Sequence, residues 1–383
     1  MPPRYLQGVS LIIETKYLMQ KLCFLVILLA MGTVTHAQTP KNNTVEELSA
    51  QIQALQEDVD RMYHDNNRIR KALDDILWYD KISDVATMDK VYLTGPPPRN
   101  MPNPTAQGAG NPLRFQTYMF FPKDIDTSGK YPLLVLPHGG VHSNFNTFYT
   151  HIVRELVSQG YVVVAPEYRG STGYGRGFYK HIDYGGLEVE DVFSARNYML
   201  ENYDFLDKNR VGILGWSHGG LITLHNIFEH PDSYKVAYAG VPVSDLIARM
   251  GYKTQRYREL YSADFHIGKT AYEDVNEYRR RSPAWNAQKL ETPLLVHTNT
   301  NDGDVNVLEV EHLINALKAY DKDFEYQIYE DIEGGHSFDR LDTKIAKEIR
   351  VKVYKFMNGY LNPDSPINSL NGIKQASYPP YSK

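Results

Sequence analysis

Val211-Gly212-Ile213-Leu214-Gly215-Trp216-Ser217-His218-Gly219-Gly220-Leu221-Ile222 is the stretch that decides the fold. Its first four residues form a short apolar run that reads as a buried strand, and Leu221 to Phe228 reads as a helix. A serine on the tight turn between them needs small neighbours, because the backbone there is strained and packed. Gly215 and Gly219 supply them. The reading is a nucleophile elbow, with the Ser217 hydroxyl raised above a sheet and the following N–H groups at a helix N-terminus. A Gly-x-Ser-x-Gly match alone is weak, since any Gly-rich turn between core elements can produce it. The strand before and the helix after are what give it weight.

Outward from the elbow, residues 113–360 alternate strand and helix patterns. Arg114 to Phe121 alternates and reads as an edge strand. Leu133 to Leu136, Tyr161 to Ala165, Val236 to Ala239, Leu294 to His297 and Phe324 to Tyr329 join the elbow strand. Most are short apolar runs without alternation, as expected of a parallel sheet covered on both faces. Helical patterns fall at 147–159, 187–201, 219–229, 305–320 and 341–358. The fold class is therefore α/β, a mostly parallel doubly wound sheet, with function expected at the carboxyl ends of its strands.

A serine hydroxyl needs a base, and in this fold the order along the chain is Ser, Asp, His. Asp302 lies in Thr298-Asn299-Thr300-Asn301-Asp302-Gly303-Asp304-Val305, the loop leaving one predicted strand. Asp304 is its rival, and also suits capping of the next helix. His336 lies in Glu333-Gly334-Gly335-His336-Ser337-Phe338, after the last predicted strand. An oxyanion would find the backbone N–H of His218 and a second donor from Pro137-His138-Gly139-Gly140-Val141-His142. Gly140 is assigned that role, with Gly139 as fallback. His138 and His142 precede the nucleophile and read as packing residues.

Together with Lys130-Tyr131-Pro132-Leu133-Leu134-Val135, Tyr168-Arg169-Gly170-Ser171-Thr172-Gly173-Tyr174-Gly175, Glu190-Asp191-Val192, Ser282-Pro283 and Thr292-Pro293-Leu294-Leu295, these motifs resemble the prolyl oligopeptidase family of serine peptidases. The likeness is nearest the acylaminoacyl-peptidase and dipeptidyl-peptidase branches and covers residues 115–358. It implies an alpha/beta-hydrolase catalytic domain with Ser217 as nucleophile, Asp302 as orienting acid and His336 as base. The family's acid precedes the valine of its loop by three residues, which selects Asp302 over Asp304. Three departures stand out: His218 where tyrosine is usual, Val141 where proline is usual, and Thr298 where glycine is usual. The first lies beside the primary specificity pocket, so the resemblance does not by itself imply a proline preference. Family members often carry an N-terminal β-propeller. Here a helix and a Pro-rich segment take that place. The resulting expectation is cleavage of peptide bonds through an acyl-enzyme. The alternative is an esterase on the same fold, acting on acylated or feruloylated sugars or other small esters.

The N-terminal third reads differently. Lys16 and Lys21 precede the apolar run Leu22 to Met31, which is shorter than the roughly 20 residues a spanning helix needs. Thr35-His36-Ala37 closes it with small residues, so residues 1–37 read as a signal peptide and the protein as secreted or periplasmic. The chain's one cysteine, Cys23, lies inside that segment, so the mature chain has neither a disulfide nor a thiol nucleophile. Residues 45–78 carry a heptad, with Val45, Ile52, Val59, Asn66 and Leu73 at a and Leu48, Leu55, Met62, Ile69 and Ile76 at d. This predicts a coiled coil, either paired as a parallel homodimer or packed on its own domain. Residues 79–112 read as a Pro-rich linker, with a buried element expected at Val91-Tyr92-Leu93 within it, and 361–383 as a loose tail. A net charge of −5 provides no electrostatic footprint for nucleic acid. The mature chain is expected to span no membrane. No motif calls for a metal or cofactor: there is no His-Glu-x-x-His and no cysteine pair.

Overall fold

The computed structural model of the protein describes residues 44–378 apart from 102, 106, 108 and 109. The expected signal peptide lies outside the described residues. The strands are β1 (Ala86–Gly95), β2 (Leu113–Pro122), β3 (Tyr131–Val135), β4 (Val162–Pro166), β5 (Leu206–Trp216), β6 (Val236–Gly240), β7 (Leu294–Asn299) and β8 (Phe324–Tyr329). The helices are α1 (Val45–Ile82), α2 (Thr150–Val157), α3 (Arg176–Tyr179), α4 (Leu187–Asn202), α5 (His218–Glu229) and α6 (Leu246–Tyr252). They continue as α7 (Gln255–Ser262), α8 (Val275–Arg280), α9 (Val307–Ala319), α10 (Lys344–Leu361) and α11 (Leu370–Ala376). None of them is long and apolar enough to cross a membrane.

One eight-stranded sheet runs in the order β1-β2-β4-β3-β5-β6-β7-β8. The β1–β2 and β2–β4 pairings are antiparallel, and every pairing from β4 to β8 is parallel. Both faces are covered, and successive residues alternate between two cores. Leu133, Val135, Val162, Val164, Val211 and Ile213 face one core, with Val189 and Val192 of α4 and Leu221 and Leu224 of α5. Leu134, Val163, Leu214 and Trp216 face the other, with Ile152 of α2, Tyr354 of α10 and Ile373 of α11. This is the mostly parallel, doubly wound sheet the apolar runs predicted and the alpha/beta-hydrolase arrangement the resemblance implied.

Two expectations need correction, and a third, left open between two packings, is narrowed. Residues 79–112 are not a linker. Ala86–Gly95 forms the edge strand of the sheet, paired over its full length with β2. The prolines that follow are anchored too: Arg169, fully buried, donates to the Pro96 carbonyl at 2.8 Å, and Arg99 donates to Asp183 at 2.8 Å. Nor is 361–378 loose. Ile367 and Ile373 are buried, and the Ser377 hydroxyl donates at 2.6 Å to Glu155, a carboxylate already paired with Arg350.

The third concerns α1. The chain divides between Asp60 and Arg61. In Val45–Val59 every residue is exposed. From Arg61 onward the helix belongs to the hydrolase unit. It buries His64, Lys71, Trp78 and Ile82 there, with Trp78 stacked on Phe145 at 5.5 Å. Thr147 Oγ1 donates to Asp74 at 2.7 Å, and Arg154 forks onto Asp84 at the helix's end. His64, Lys71 and Trp78 fall at heptad position f, opposite the a/d stripe. From Arg61 onward the helix therefore packs within its own unit, and the nine apolar a and d residues of the heptad are 46% to 81% exposed.

Candidate active site

Ser217 has φ 59° and ψ −120°, a region a non-glycine residue occupies only under constraint. The constraint is visible. Ser217 N–H donates to the Gly240 carbonyl at 3.0 Å, and its own carbonyl accepts from Val243 and Leu221. A Cβ on Gly215 would lie 2.4 Å from the Gly219 carbonyl oxygen, and one on Gly219 would lie 2.3 Å from the Pro137 carbonyl oxygen. Both neighbours of the elbow must therefore be glycine, and the second contact brings the Pro137–Gly140 loop onto the turn. A Cβ on Gly139 would sit 3.5 Å from Ser217 Cβ.

The two assigned oxyanion donors are placed as follows. His218 opens α5, where the first N–H groups lack intrahelical partners. Gly139 N–H donates to the Tyr149 hydroxyl at 3.0 Å, which occupies the fallback donor. Among the described residues no acceptor takes the Gly140 N–H. Gly140 itself sits at φ 75°, a conformation that suits only glycine here, since a Cβ would strike Ser143 at 2.7 Å.

Asp302 leaves β7 and His336 follows β8, so both stand at carboxyl ends of the strands beyond β5. The structure brings them together: His336 Nδ1 lies 2.6 Å from Asp302 Oδ2. The other carboxylate oxygen accepts the N–H groups of Asp304 and Val305 at 2.8 and 2.9 Å. Asp302 is fully shielded, whereas Asp304 is 46% exposed. Asp304 contacts Lys253, Arg249 and, at 3.7 Å, His336 Nε2. With Nδ1–H donated to Asp302, Nε2 is the basic nitrogen of His336.

His138 and His142 are both engaged in packing. His138 stacks on Tyr168 at 4.2 Å, and His142 stacks on Tyr179 at 3.5 Å. His218 is buried against Tyr184, with Nε2 3.4 Å from Glu188. Two features escaped the sequence reading. Trp216 and Tyr238 both donate to buried Asp339, at 2.6 and 2.7 Å, which pins β5 and β6 below the elbow. Glu167 is a buried carboxylate ending the continuous apolar run of β4. That position was the only signal it offered.

Several histidines are held neutral by burial. Burial pushes His142 and His297 down to about 4 and His266 down to about 2. Unfolded, each would bind a proton near pH 6.5. Their contribution to stability is thus complete above pH 6.5 and is lost as pH falls toward 4, at up to about 1.4 kcal/mol per pH unit for each. Urea denaturation at pH 7.5 and pH 5.0 is expected to show a drop of several kcal/mol at the lower pH. A stability unchanged between the two would mean these rings are not buried as neutral imidazoles.

Comparison with known proteins follows the same span. The prolyl oligopeptidase family pattern matches residues 146–364. The acylamino-acid-releasing enzyme of Mus musculus is 28% identical over 254 residues, 65% of this chain and 33% of the relative. The uncharacterized peptidase YuxL of Bacillus subtilis is 30% identical over 208 residues, 54% of this chain and 31% of the relative. The chain thus spans about a third of the length of these curated relatives. Among solved structures, the Pyrococcus horikoshii acylaminoacyl peptidase superposes with TM-score 0.59 at 17% identity, covering 76% of this chain and 44% of that one. A puromycin hydrolase superposes with TM-score 0.60 at 20% identity, covering 74% and 41%.

Proposed function

This chain belongs to the prolyl oligopeptidase family, and from that premise we propose that it is a serine peptidase working through Ser217, Asp302 and His336. The supporting observation is the Asp302–His336 couple at 2.6 Å on the same sheet edge as a strained serine elbow. His336 Nε2 takes the proton as the Ser217 oxygen attacks a substrate carbonyl carbon. Asp302 holds the imidazole tautomer and stabilises the imidazolium that forms. The oxyanion is met by the N–H groups of His218 and Gly140. Collapse expels the amine with the proton from His336, leaving an acyl-enzyme. Water then repeats the sequence and frees Ser217. Esters follow the same path with an easier leaving group. A matched panel of peptide amides and esters, compared by kcat/KM, is the test. Efficient amide turnover is expected, and turnover confined to esters would replace this reading with an esterase.

We also read the protein as exported, on the charged, apolar and small-residue pattern of residues 1–37. Sequencing the N-terminus of the mature protein tests this, with Gln38 as the expected first residue.

The seam of α1 supports a further part of the reading, a parallel homodimer. Its apolar a and d residues lie opposite the face that docks on the hydrolase unit, so both contacts fit one helix. Asp65 at g and Arg70 at the next e pair across a parallel seam, and Asn66 can face its copy at a. Light scattering is expected to find a dimer for the mature protein. A variant lacking residues 38–60 loses half the seam and is expected to dimerise more weakly, yet to stay folded and active, because it keeps Lys71, Trp78 and Ile82. A monomeric mature protein would sink the dimer.

A further inference from the structure

Helix α1 lies outside the family-matched stretch, yet it sends a charge into the hydrolase core. Lys71 is 3% exposed. Its Nζ donates to the Tyr118 hydroxyl and, at 2.5 Å, to the Phe145 carbonyl. It also lies 3.1 Å from Glu167 Oε1, with Asp75 and Asp74 of its own helix at 3.4 and 3.9 Å. Glu167 is fully buried, and Oε1 also accepts the Phe145 N–H at 3.2 Å. Burial pushes the Glu167 carboxyl up, but the Lys71 ammonium and then His138 outweigh it and hold the group at about 2.

The other oxygen, Oε2, faces His138 Nε2 at 3.4 Å. The Ser171 hydroxyl donates to the Tyr168 carbonyl at 2.7 Å, so at 2.9 Å it accepts from His138 Nε2. His138 Nε2–H thus goes to Ser171, and the Glu167 carboxylate lies beside the ring as a charge rather than as a hydrogen-bond acceptor. The backbone of His138 begins the His138-Gly139-Gly140 loop. The Tyr168 hydroxyl caps that loop from the other side, lying 2.9 Å from the His138 carbonyl and 3.2 Å from that of Gly140. A continuous path therefore runs from the helix through a buried ion pair to the loop beside Ser217.

We propose that Lys71 is a positioning residue for catalysis: paired with Glu167, it fixes His138 and so aims the Gly140 N–H at the developing oxyanion. This rests on the serine-hydrolase reading above. Docking of α1 does not require the charge. Trp78, Ile82, the Asp74–Thr147 bond and the Arg154–Asp84 fork already fasten the helix. Burying an ion pair is costly, and an apolar side chain of similar volume often serves stability as well. What the pair adds is direction at His138. An oxyanion donor matters only as charge develops, and it must be placed within about 0.5 Å. Misplacing it lowers kcat and leaves ground-state binding nearly unchanged.

The test uses the mature protein, with active sites counted by fluorophosphonate titration and turnover followed on a chromogenic ester. Lys71→Met is expected to lower kcat per titrated site about tenfold, with KM within about twofold. Lys71→Met/Glu167→Gln leaves no lone buried charge. It is expected to regain thermal stability while keeping the kcat loss, and it decides the matter should the single variant not fold. Trp78→Leu loosens the helix through the core alone. It is expected to lower Tm with kcat per site within about twofold of wild type. A kcat loss under about fivefold in the Lys71 variants overturns the proposal, as does an equal loss in Trp78→Leu. Failure of the wild type to label at Ser217 would instead overturn the serine-hydrolase reading itself.

Discussion

Ser217→Ala is expected to abolish fluorophosphonate labelling and to lower kcat by about 10⁴-fold or more. The triad acts as a unit, so losing the nucleophile removes the whole covalent route. Only oxyanion and binding contributions then remain. The substitution is clean on structural grounds. Alanine keeps the Cβ and can hold the φ of 59° that the surrounding bonds impose through the Gly240 and Val243 backbone. The Gly215 and Gly219 contacts do not involve the hydroxyl. A lower Tm is therefore not expected, and lost activity can be read as lost chemistry. Labelling retained at the wild-type rate would place the nucleophile elsewhere.

The second large effect separates two acids that lie two residues apart. Asp302→Asn is expected to cut kcat by about 10⁴-fold, whereas Asp304→Asn is expected to cost less than about tenfold. The reason lies in the bonds Asp302 makes. One carboxylate oxygen accepts two backbone N–H groups, so an asparagine there must keep its carbonyl oxygen on that side. Its NH₂ group would then face His336 Nδ1, donor against donor. The imidazole can relieve the clash by moving its proton to Nε2, and that tautomer has no lone pair for the Ser217 proton. Asp304 does nothing comparable. It is half exposed, its nearest cations are Lys253 and Arg249, and it stands 3.7 Å from Nε2. Steady-state kinetics on both variants, with active sites titrated, decides between them. Greater damage from Asp304→Asn would show that the acid was misassigned.

Much of this was legible because each chemical residue follows a strand with a strong local signature. Continuous runs such as Val162 to Pro166 announce a strand buried on both faces. A serine or histidine set just beyond such a run, among glycines, announces a site. The misses have physical causes of their own. Strand β1 alternates buried Ala86 and Met88 with exposed Thr87 and Asp89, and three prolines follow it at once. Its strand character comes from pairing with β2, and only the short run Val91-Tyr92-Leu93 hints at it locally. Helices α7 and α8 carry mostly polar residues with one buried position each, and α6 is only two turns long, so periodicity says little there. The heptad of α1 was plain, but its second contact face was not. Position f carries His64 and Lys71, which look like solvated residues until the carboxylate that meets Lys71 is seen.

The same helix spans two regimes of local opening. Val45–Val59 has no buried residue, and a segment of that length is marginal as a helix alone in water. Around Trp78 and Ile82, amides are released only when the core itself opens. Amide hydrogen exchange along one uninterrupted helix should therefore run from nearly unprotected at Val45 to globally protected at Trp78. The steepness of that gradient reports the state of the seam. Closing it against a second copy would extend slow exchange toward the N-terminus, and a lone chain would leave the gradient intact.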